Sequence, residues 1–409
     1  MLFARFLDPL IKFGSLTVID AFGKTHAFDG AEGPRVSIRL HDKALHYKLF
    51  FNPKLHLGEA YMDGALTVEE GTLRDLLELL TMNAARLEAH TPQRVYEKLS
   101  YLFRDVWQYN PRARARANVA HHYDLSDILY DLFLDSDRQY SCAYFTDPDE
   151  TLEVAQDNKK RHIAAKLLLN EPGLRVLDVG SGWGGLALYL ARVAQAEVTG
   201  ITLSAGQVKV ANERAAEAGL EDRVRFFLRD YRKEEDRYDR IVSVGMFEHV
   251  GVPQYPAFFG KIQELLHPDG VALLHSIGRM DGPGGTNPWI RKYIFPGSYV
   301  PALSEVLPVI EKCRLWVTDI EILRLHYAAT LRQWHGRFQA SRDKIKELYD
   351  ERFCRMWEFY LVGTEMGFRH EAQMVFQIQL AKSPHAVPST RDYITDWKRA
   401  HAGRVTAAA

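Results

Sequence analysis

The pattern of apolar and polar positions divides the chain into two kinds of text. Beyond residue 165, short apolar runs at 175–179, 197–201, 224–228, 240–244 and 271–275 alternate with segments of helical spacing. Runs of that length, bounded by turn residues and separated by helices, predict a parallel sheet wrapped by helices. Near the C-terminus Phe376, Ile378 and Leu380 alternate with Gln377 and Gln379, which predicts a half-exposed edge strand. Before it, Ile345, Tyr349, Phe353, Met356 and Tyr360 keep helical spacing and place Cys354 near a packed face. The first 90 residues read differently. Stretches 36–40 and 45–51 alternate as strands do, while Leu73, Leu76, Leu77 and Leu80 fall at i, i+3, i+4 and i+7 of a helix. Thr72 and Asp75 supply that helix with an N-cap and a favourable first-turn charge.

Composition adds exclusions. With 52 Lys+Arg against 53 Asp+Glu in 409 residues, net charge offers no general pull toward nucleic acid or an anionic membrane. The length suits more than one domain, and the expected division is an N-terminal domain at 1–107, a basic linker at 108–117 and a C-terminal domain at 118–409. Arg112, Arg114 and Arg116 in the linker are spaced to scatter around a helix. Cys142, Cys313 and Cys354 form no CxxC pair, and His121-His122 lacks ligand spacing. Neither a disulfide framework nor a metal site is expected, and a reducing, cytoplasmic compartment is. No stretch approaches the 18 apolar residues of a membrane span and the N-terminus lacks an apolar signal core, so any membrane contact is expected to be peripheral.

The most informative segment is Val176-Leu-Asp178-Val-Gly180-Ser181-Gly182-Trp-Gly184-Gly185. A strand that runs through glycines into a helix presents free backbone N–H groups to a ligand without a Cβ in the way. In an open α/β sheet such a loop lies at the carboxyl end of the strand, where cofactors bind. A redox dinucleotide would require an acidic residue about twenty positions on. That region, Gly200-Ile-Thr202-Leu203-Ser204-Ala-Gly-Gln207, contains none. The DxGxG form resembles S-adenosylmethionine-dependent methyltransferases, whose fold is a Rossmann-like α/β sheet with helices on both faces.

Further motifs narrow the resemblance. His122-Tyr-Asp-Leu-Ser-Asp, Tyr140-Ser-Cys-Ala-Tyr-Phe145, Met246-Phe-Glu-His-Val-Gly251, His275-Ser-Ile-Gly278, Tyr293-Ile-Phe-Pro-Gly297 and His326-Tyr-Ala-Ala-Thr-Leu331 together resemble the cyclopropane-fatty-acyl-phospholipid synthases. Their relatives, the mycolic acid cyclopropane synthases and methyltransferases, share most of these. The resemblance runs from about residue 118 to the end. Asn52-Pro-Lys-Leu-His-Leu-Gly-Glu-Ala-Tyr61 also resembles the smaller N-terminal domain of the phospholipid enzymes, which the mycolic enzymes lack.

The resemblance implies that Tyr140, Ser141, Gly180, Ser181, Gly182, Thr202, Leu203, Gln207, Asp230 and Tyr231 contact S-adenosylmethionine. Where the mycolic enzymes carry Gly-Trp-Glu, this chain has Asp230-Tyr231-Arg232. It implies, further, a bicarbonate ion held by Cys142, Glu248, His275, the Ile277 backbone and Tyr327. The implied substrate is an unsaturated phospholipid met at the inner face of the cell membrane, the implied assembly a homodimer, and no nucleic acid is involved. The implied chemistry suits these residue types. An alkene methylated by a sulfonium develops positive charge, and closing a cyclopropane ring then requires a base and exclusion of water. Aromatic faces stabilise such a cation; Tyr140, Tyr144, Phe145, Phe247, Tyr293 and Tyr327 are the candidates. A fatty-acyl C-methyltransferase leaving a methyl or methylene branch is the first alternative, and a lipid-binding scaffold the non-enzymatic one. The 278–301 loop, with Trp289-Ile-Arg-Lys-Tyr-Ile-Phe295, joins aromatics and cations suited to a lipid interface, or packs over the active site.

Overall fold

The structure is a computed structural model, and it describes residues 7–84 and 126–402. The basic stretch 108–117 and His121-His122 lie outside them. The chain falls into two compact units that do not follow it linearly. Met1–Arg104 combines with Gly284–Pro296 and Leu331–Gln373, and Asp105–Pro283 combines with Gly297–Thr330 and Met374–Ala409. The division expected from the sequence, an N-terminal domain at 1–107 followed by one continuous domain, is replaced by two insertions into the first unit.

The first unit holds β1 (Phe13–Ile19), β2 (Thr25–Asp29), β3 (Ala31–Leu40) and β4 (Leu66–Glu70) in the order β2-β1-β3-β4. The stretch expected as a second strand, Leu45–Phe51, is a helix instead. Leu45 and Leu49 point inward one turn apart, and the Asn52-Pro53 pair ends this helix and begins the next, with Pro53 in its first turn. Periodicity alone does not separate a seven-residue strand from a two-turn helix. Helix Leu73–Met82 forms as expected, with Thr72 and Asp75 closing a capping box. A small sheet with short helices has too little core of its own. Helix Glu351–His370 completes it, packing Val362 and Met366 against Leu73 and Leu77. Beside them Glu365, fully buried, accepts from Arg74 Nη1 at 2.6 Å and Arg369 Nε at 2.8 Å. Trp289 is 1% exposed, its indole donating to Met62 Sδ at 3.2 Å and its ring 4.8 Å from that of Phe359. Trp289 is therefore a packing residue of this unit and not part of a lipid-facing surface.

The second unit is built on β5 (Arg175–Val179), β6 (Glu197–Thr202), β7 (Val224–Leu228), β8 (Tyr238–Val244), β9 (Leu266–Arg279), β10 (Trp316–Ile322) and β11 (Gln373–Ala381), in the order β10-β11-β9-β8-β5-β6-β7. Strands β5 to β8 pair in parallel, as do β8 and β9, whereas β10 and β11 are antiparallel. Side chains alternate across the sheet. Val176, Val198, Val242 and Leu273 join one core layer with the helices Leu152–Lys166 and Gly185–Ala194. Leu177, Val179, Ile241, Ala272 and Leu274 join the other. The chain leaves β5 toward β6 on one side and reaches β8 on the other, so the end of β5 is the switch point at which such sheets open a crevice.

The expected edge strand is in the interior. β10 covers one side of β11, and both Gln377 and Gln379 are fully buried. Buried amides require partners. Gln379 Nε2 donates to the Lys166 carbonyl at 2.5 Å and to Tyr393 Oη at 2.9 Å, while Gln377 Nε2 reaches His275 Nδ1 at 3.2 Å. The alternation therefore marks buried amides and not a wet face.

Candidate active site

At the switch point the backbone turns sharply. Gly180 has φ +86°, and a Cβ there would lie 2.8 Å from that of Met246, so only glycine fits. Gly182, at φ +53°, faces open space, with nothing within 4 Å of where a Cβ would stand. The Gly180 and Ser181 amides both donate to the Ile201 carbonyl, at 2.9 and 3.1 Å, which ties the loop to β6. Across β6 and the turn after it, Thr202 Oγ1 donates to Gln207 Oε1 at 2.8 Å, and Ser204 caps helix Ala205–Glu217. Asp230 caps the turn after β7 and accepts both Arg232 guanidinium contacts, at 2.8 and 2.6 Å.

These segments line one cleft together with Gln139, Tyr140 and Ser141. All ten residues expected at the cofactor, namely Tyr140, Ser141, Gly180, Ser181, Gly182, Thr202, Leu203, Gln207, Asp230 and Tyr231, stand on its walls. Asp178 stands there too, with Oδ2 buried and, among the described residues, without a hydrogen-bond partner, and burial pushes its carboxyl up to about 7. An orphaned buried oxygen and a loop face kept open at Gly182 fit a ligand that brings its own donors.

The loop 137–141 is held by helix Leu152–Lys166, a contribution the sequence reading missed. Gln156 Nε2 donates to the carbonyls of Gln139 and Ser141, at 3.2 and 3.0 Å. Lys159 Nζ donates to Gln139 Oε1 at 2.6 Å and Ser141 Oγ at 2.8 Å, and Lys160 Nζ to Asp137 Oδ2 at 2.6 Å. Gln156, Lys159 and Lys160 occupy i, i+3 and i+4, one helix face. Polar residues at that spacing, beside the apolar Ile163 and Ala164, were the available signal.

Of the five residues expected to hold the anion, Cys142, Glu248, His275 and Tyr327 are buried and Ile277 is half-buried; Glu248 follows β8, His275 and Ile277 lie on β9, and none of the five lines the cofactor cleft, although their neighbours Ser141 and His249 do. Glu248 sits on the turn after β8 and accepts the Ile277 amide at 2.7 Å. That amide is therefore engaged by Glu248 here. Among the described residues the second Glu248 oxygen is buried without a hydrogen-bond partner, and burial pushes the carboxyl up to about 7. Burial holds His275 down at about 3, so its ring is neutral at physiological pH. Its Nδ1 faces the Gln377 amide group at 3.2 Å. The Cys142 thiol, pushed up by burial, stays protonated and donates to the Ala143 carbonyl at 3.3 Å. The Ala143 amide in turn donates to Thr330 Oγ1, one turn after the buried Tyr327. Tyr144 stacks between His162 and His326, with ring centroids at 4.4 and 4.7 Å. Of the aromatics expected to face a cation, Phe247 and Tyr293 have other contacts. Phe247 is core, stacked on Tyr255, and Tyr293 is in the first unit, donating to Glu59 at 2.9 Å.

A family model described as mycolic acid cyclopropane synthetase matches residues 110–378. The chain belongs to this family. As a member of it, the protein is an S-adenosylmethionine-dependent methyltransferase. It is 36% identical to a probable fatty acid methyltransferase of Pseudomonas putida over 89% of this chain and 93% of the relative. It is 38% identical to the cyclopropane-fatty-acyl-phospholipid synthase of Escherichia coli K12, over 80% and 83% respectively. Mycolic acid cyclopropane synthase CmaA1, solved in complex with SAH and CTAB, superimposes with a TM-score of 0.62 at 34% identity, covering 67% of this chain and 99% of that one. A domain of unknown function matches residues 16–91, within the first unit of this family member.

Proposed function

We propose that this methyltransferase is a cyclopropane-fatty-acyl-phospholipid synthase. In this reading a carbon from S-adenosylmethionine is added across the cis double bond of a phospholipid acyl chain, with bicarbonate as the general base. The observation that carries it is Glu248, a fully buried carboxyl near neutrality with one oxygen left unpartnered, set one residue from the cofactor cleft. The cofactor supplies an electrophilic methyl group, and the bound anion a base. The chain's residues do the rest. Asp178 and the 180–182 loop hold the cofactor's polar end; neutral His275 offers an N–H to a small anion, the Cys142 S–H turns to it from the Ala143 carbonyl, and protonated Glu248 offers an O–H. With Ile277 N–H already on Glu248, that donor serves the anion through the carboxyl. Cys142, Glu248, His275, Ile277 and Tyr327 are the proposed catalytic set.

No described helix is long and apolar enough to cross a membrane. An acyl chain withdrawn into water costs about 0.8 kcal/mol per CH₂, so the enzyme must take it directly from the bilayer. The first unit offers a surface for that. Phe22, Tyr47 and Phe51 are 68%, 64% and 58% exposed, with Lys43 5.0 Å over the Phe22 ring. Tyr47 and Phe51 share one helix face. We assign this surface to the lipid headgroup region, with a homodimer contact as the alternative reading.

The test is to supply labelled S-adenosylmethionine and vesicles of a cis-monounsaturated phospholipid, then analyse the acyl chains by mass spectrometry and proton NMR. A gain of one CH₂ with upfield ring protons supports the proposal. The relative from Pseudomonas putida favours a second reading, fatty-acyl C-methylation, which retained branch signals without a ring would establish.

A further inference from the structure

Among the described residues four cations line the cofactor cleft, and three are paired with carboxylates. Arg138 is paired with Asp131, Arg229 with Glu234 and Arg232 with Asp230, at 2.5, 2.7 and 2.6 Å. Lys159 differs. It is 1% exposed, and among the described residues its hydrogen-bond partners are two neutral oxygens, on Gln139 and Ser141. An ammonium has three N–H donors, so one remains for a ligand. No carboxylate among the described residues is hydrogen-bonded to it: Asp137 is committed to Lys160 and Arg214, and Asp135 and Asp137 act on Lys159 only through space. Burying an unpaired cation is costly, and burial brings Lys159 down only to about 8, so it is charged at neutral pH.

The proposed anion site has the complementary deficit. His275 is neutral, Cys142 is a thiol, Tyr327 is a phenol, and Glu248 is at best uncharged. A small anion brought into that set from water meets no positive charge there. Lys159 is anchored to Ser141, the residue before Cys142, and its charge acts on both Cys142 and His275.

We propose that Lys159 is the positioning cation of the anion site, whose buried charge draws a small carbonate-type anion to Cys142 and His275 while its hydrogen bonds fix the loop between the two sites. The inference rests on the bicarbonate reading above. A carboxylate also exists at the methionine end of the cofactor, but that end carries its own ammonium, whereas bicarbonate has no internal counter-charge.

The test uses the full-length protein with Lys159→Met, a side chain of similar length without charge. The substitution removes the cost of the buried charge together with the bonds to Gln139 and Ser141, so folding of the variant is first established by its melting temperature. In carbonate-free buffer, with S-adenosylhomocysteine bound, calorimetric titration with bicarbonate should show at least tenfold weaker binding than wild type. Affinity for S-adenosylhomocysteine, whose loop Lys159 also anchors, should fall by a smaller factor than that for bicarbonate, and the bicarbonate concentration giving half-maximal rate should rise with the loss of bicarbonate binding. Lys159→Ala should regain bicarbonate binding when ethylammonium is added. If wild type binds bicarbonate and Lys159→Met binds it equally well while losing the cofactor, the lysine serves the cofactor's carboxylate and the inference is overturned. Failure of ethylammonium to restore binding also overturns it. If wild type itself binds no bicarbonate, the base reading falls, and this inference with it.

Discussion

Replacing Glu248 by Gln isolates the cost of the buried carboxyl. The amide keeps an oxygen for the Ile277 N–H and puts an NH₂ where the protonated acid has its hydroxyl, so Gln mimics the neutral form without titrating. In the native protein the carboxyl rises from 4.5 to about 7, a climb worth about 3 kcal/mol against the charged form. Between those values the folded state binds more protons than the unfolded one. Stability from this group is therefore fully present below pH 4.5 and is lost as pH rises through about 7. Glu248→Gln should lack that loss. Its stability relative to wild type should improve by about 2 to 3 kcal/mol between pH 5 and 8.5, or roughly 3 °C in melting temperature for a chain of this length. Asp178 and His275 also titrate abnormally, with His275 acting in the opposite sense because its pKa is depressed, but both are common to the two proteins and cancel in the difference. The assay is thermal unfolding by tryptophan fluorescence at half-unit pH steps. Parallel curves would refute the reasoning, because they would mean that Glu248 ionises in the ordinary range despite its burial.

Gly182→Ala should weaken S-adenosylhomocysteine binding at least tenfold by calorimetry while costing about 1 kcal/mol of stability, since its methyl would enter the cleft and meet no protein atom. Trp289→Ala should cost about 3–5 kcal/mol in urea unfolding; a change in vesicle binding without that loss would restore the interface reading. Among the thiols, Cys313 should be alkylated first by iodoacetamide at pH 8, with fully buried Cys142 and Cys354 protected until the protein unfolds, as peptide mapping will show. Exchanging Phe22, Tyr47 and Phe51 for Ser should lower sedimentation with phospholipid vesicles at least fivefold and leave turnover of a detergent-dispersed substrate intact. Loss of dimer mass instead, by light scattering, would assign the surface to a subunit contact.

β5 was legible because it is buried on both faces and reads as a continuous apolar run, and it appears at the bounds read from the sequence; β7 does too, although it is an edge strand with Arg225, Phe227 and Leu228 exposed. The cofactor cleft was legible because glycines at fixed offsets report a backbone requirement. What escaped depends on distant partners. The half-polar look of β11 conceals two buried glutamines whose acceptors lie far away in sequence, one of them on His275. The Leu45–Phe51 helix was misread because a two-turn helix and a strand share too few positions to differ. Lys159 escaped because, read alone, a lysine in a helix suggests a solvated face, and only the fold shows the loop that closes over it.

Insertion of β11 between β9 and β10 has a consequence for biosynthesis. The strand that completes the sheet is drawn from the last tenth of the chain, so β10 waits for it although some fifty residues separate their synthesis. Pairings between distant stretches of sequence form slowly. Because Gln377 of this late strand is the partner of His275, the nascent protein can close its glycine loop long before it can orient its histidine. A truncated product stopped short of residue 373 would then be a cofactor-binding fragment with an unfinished sheet, a species with an open edge that invites pairing with other chains.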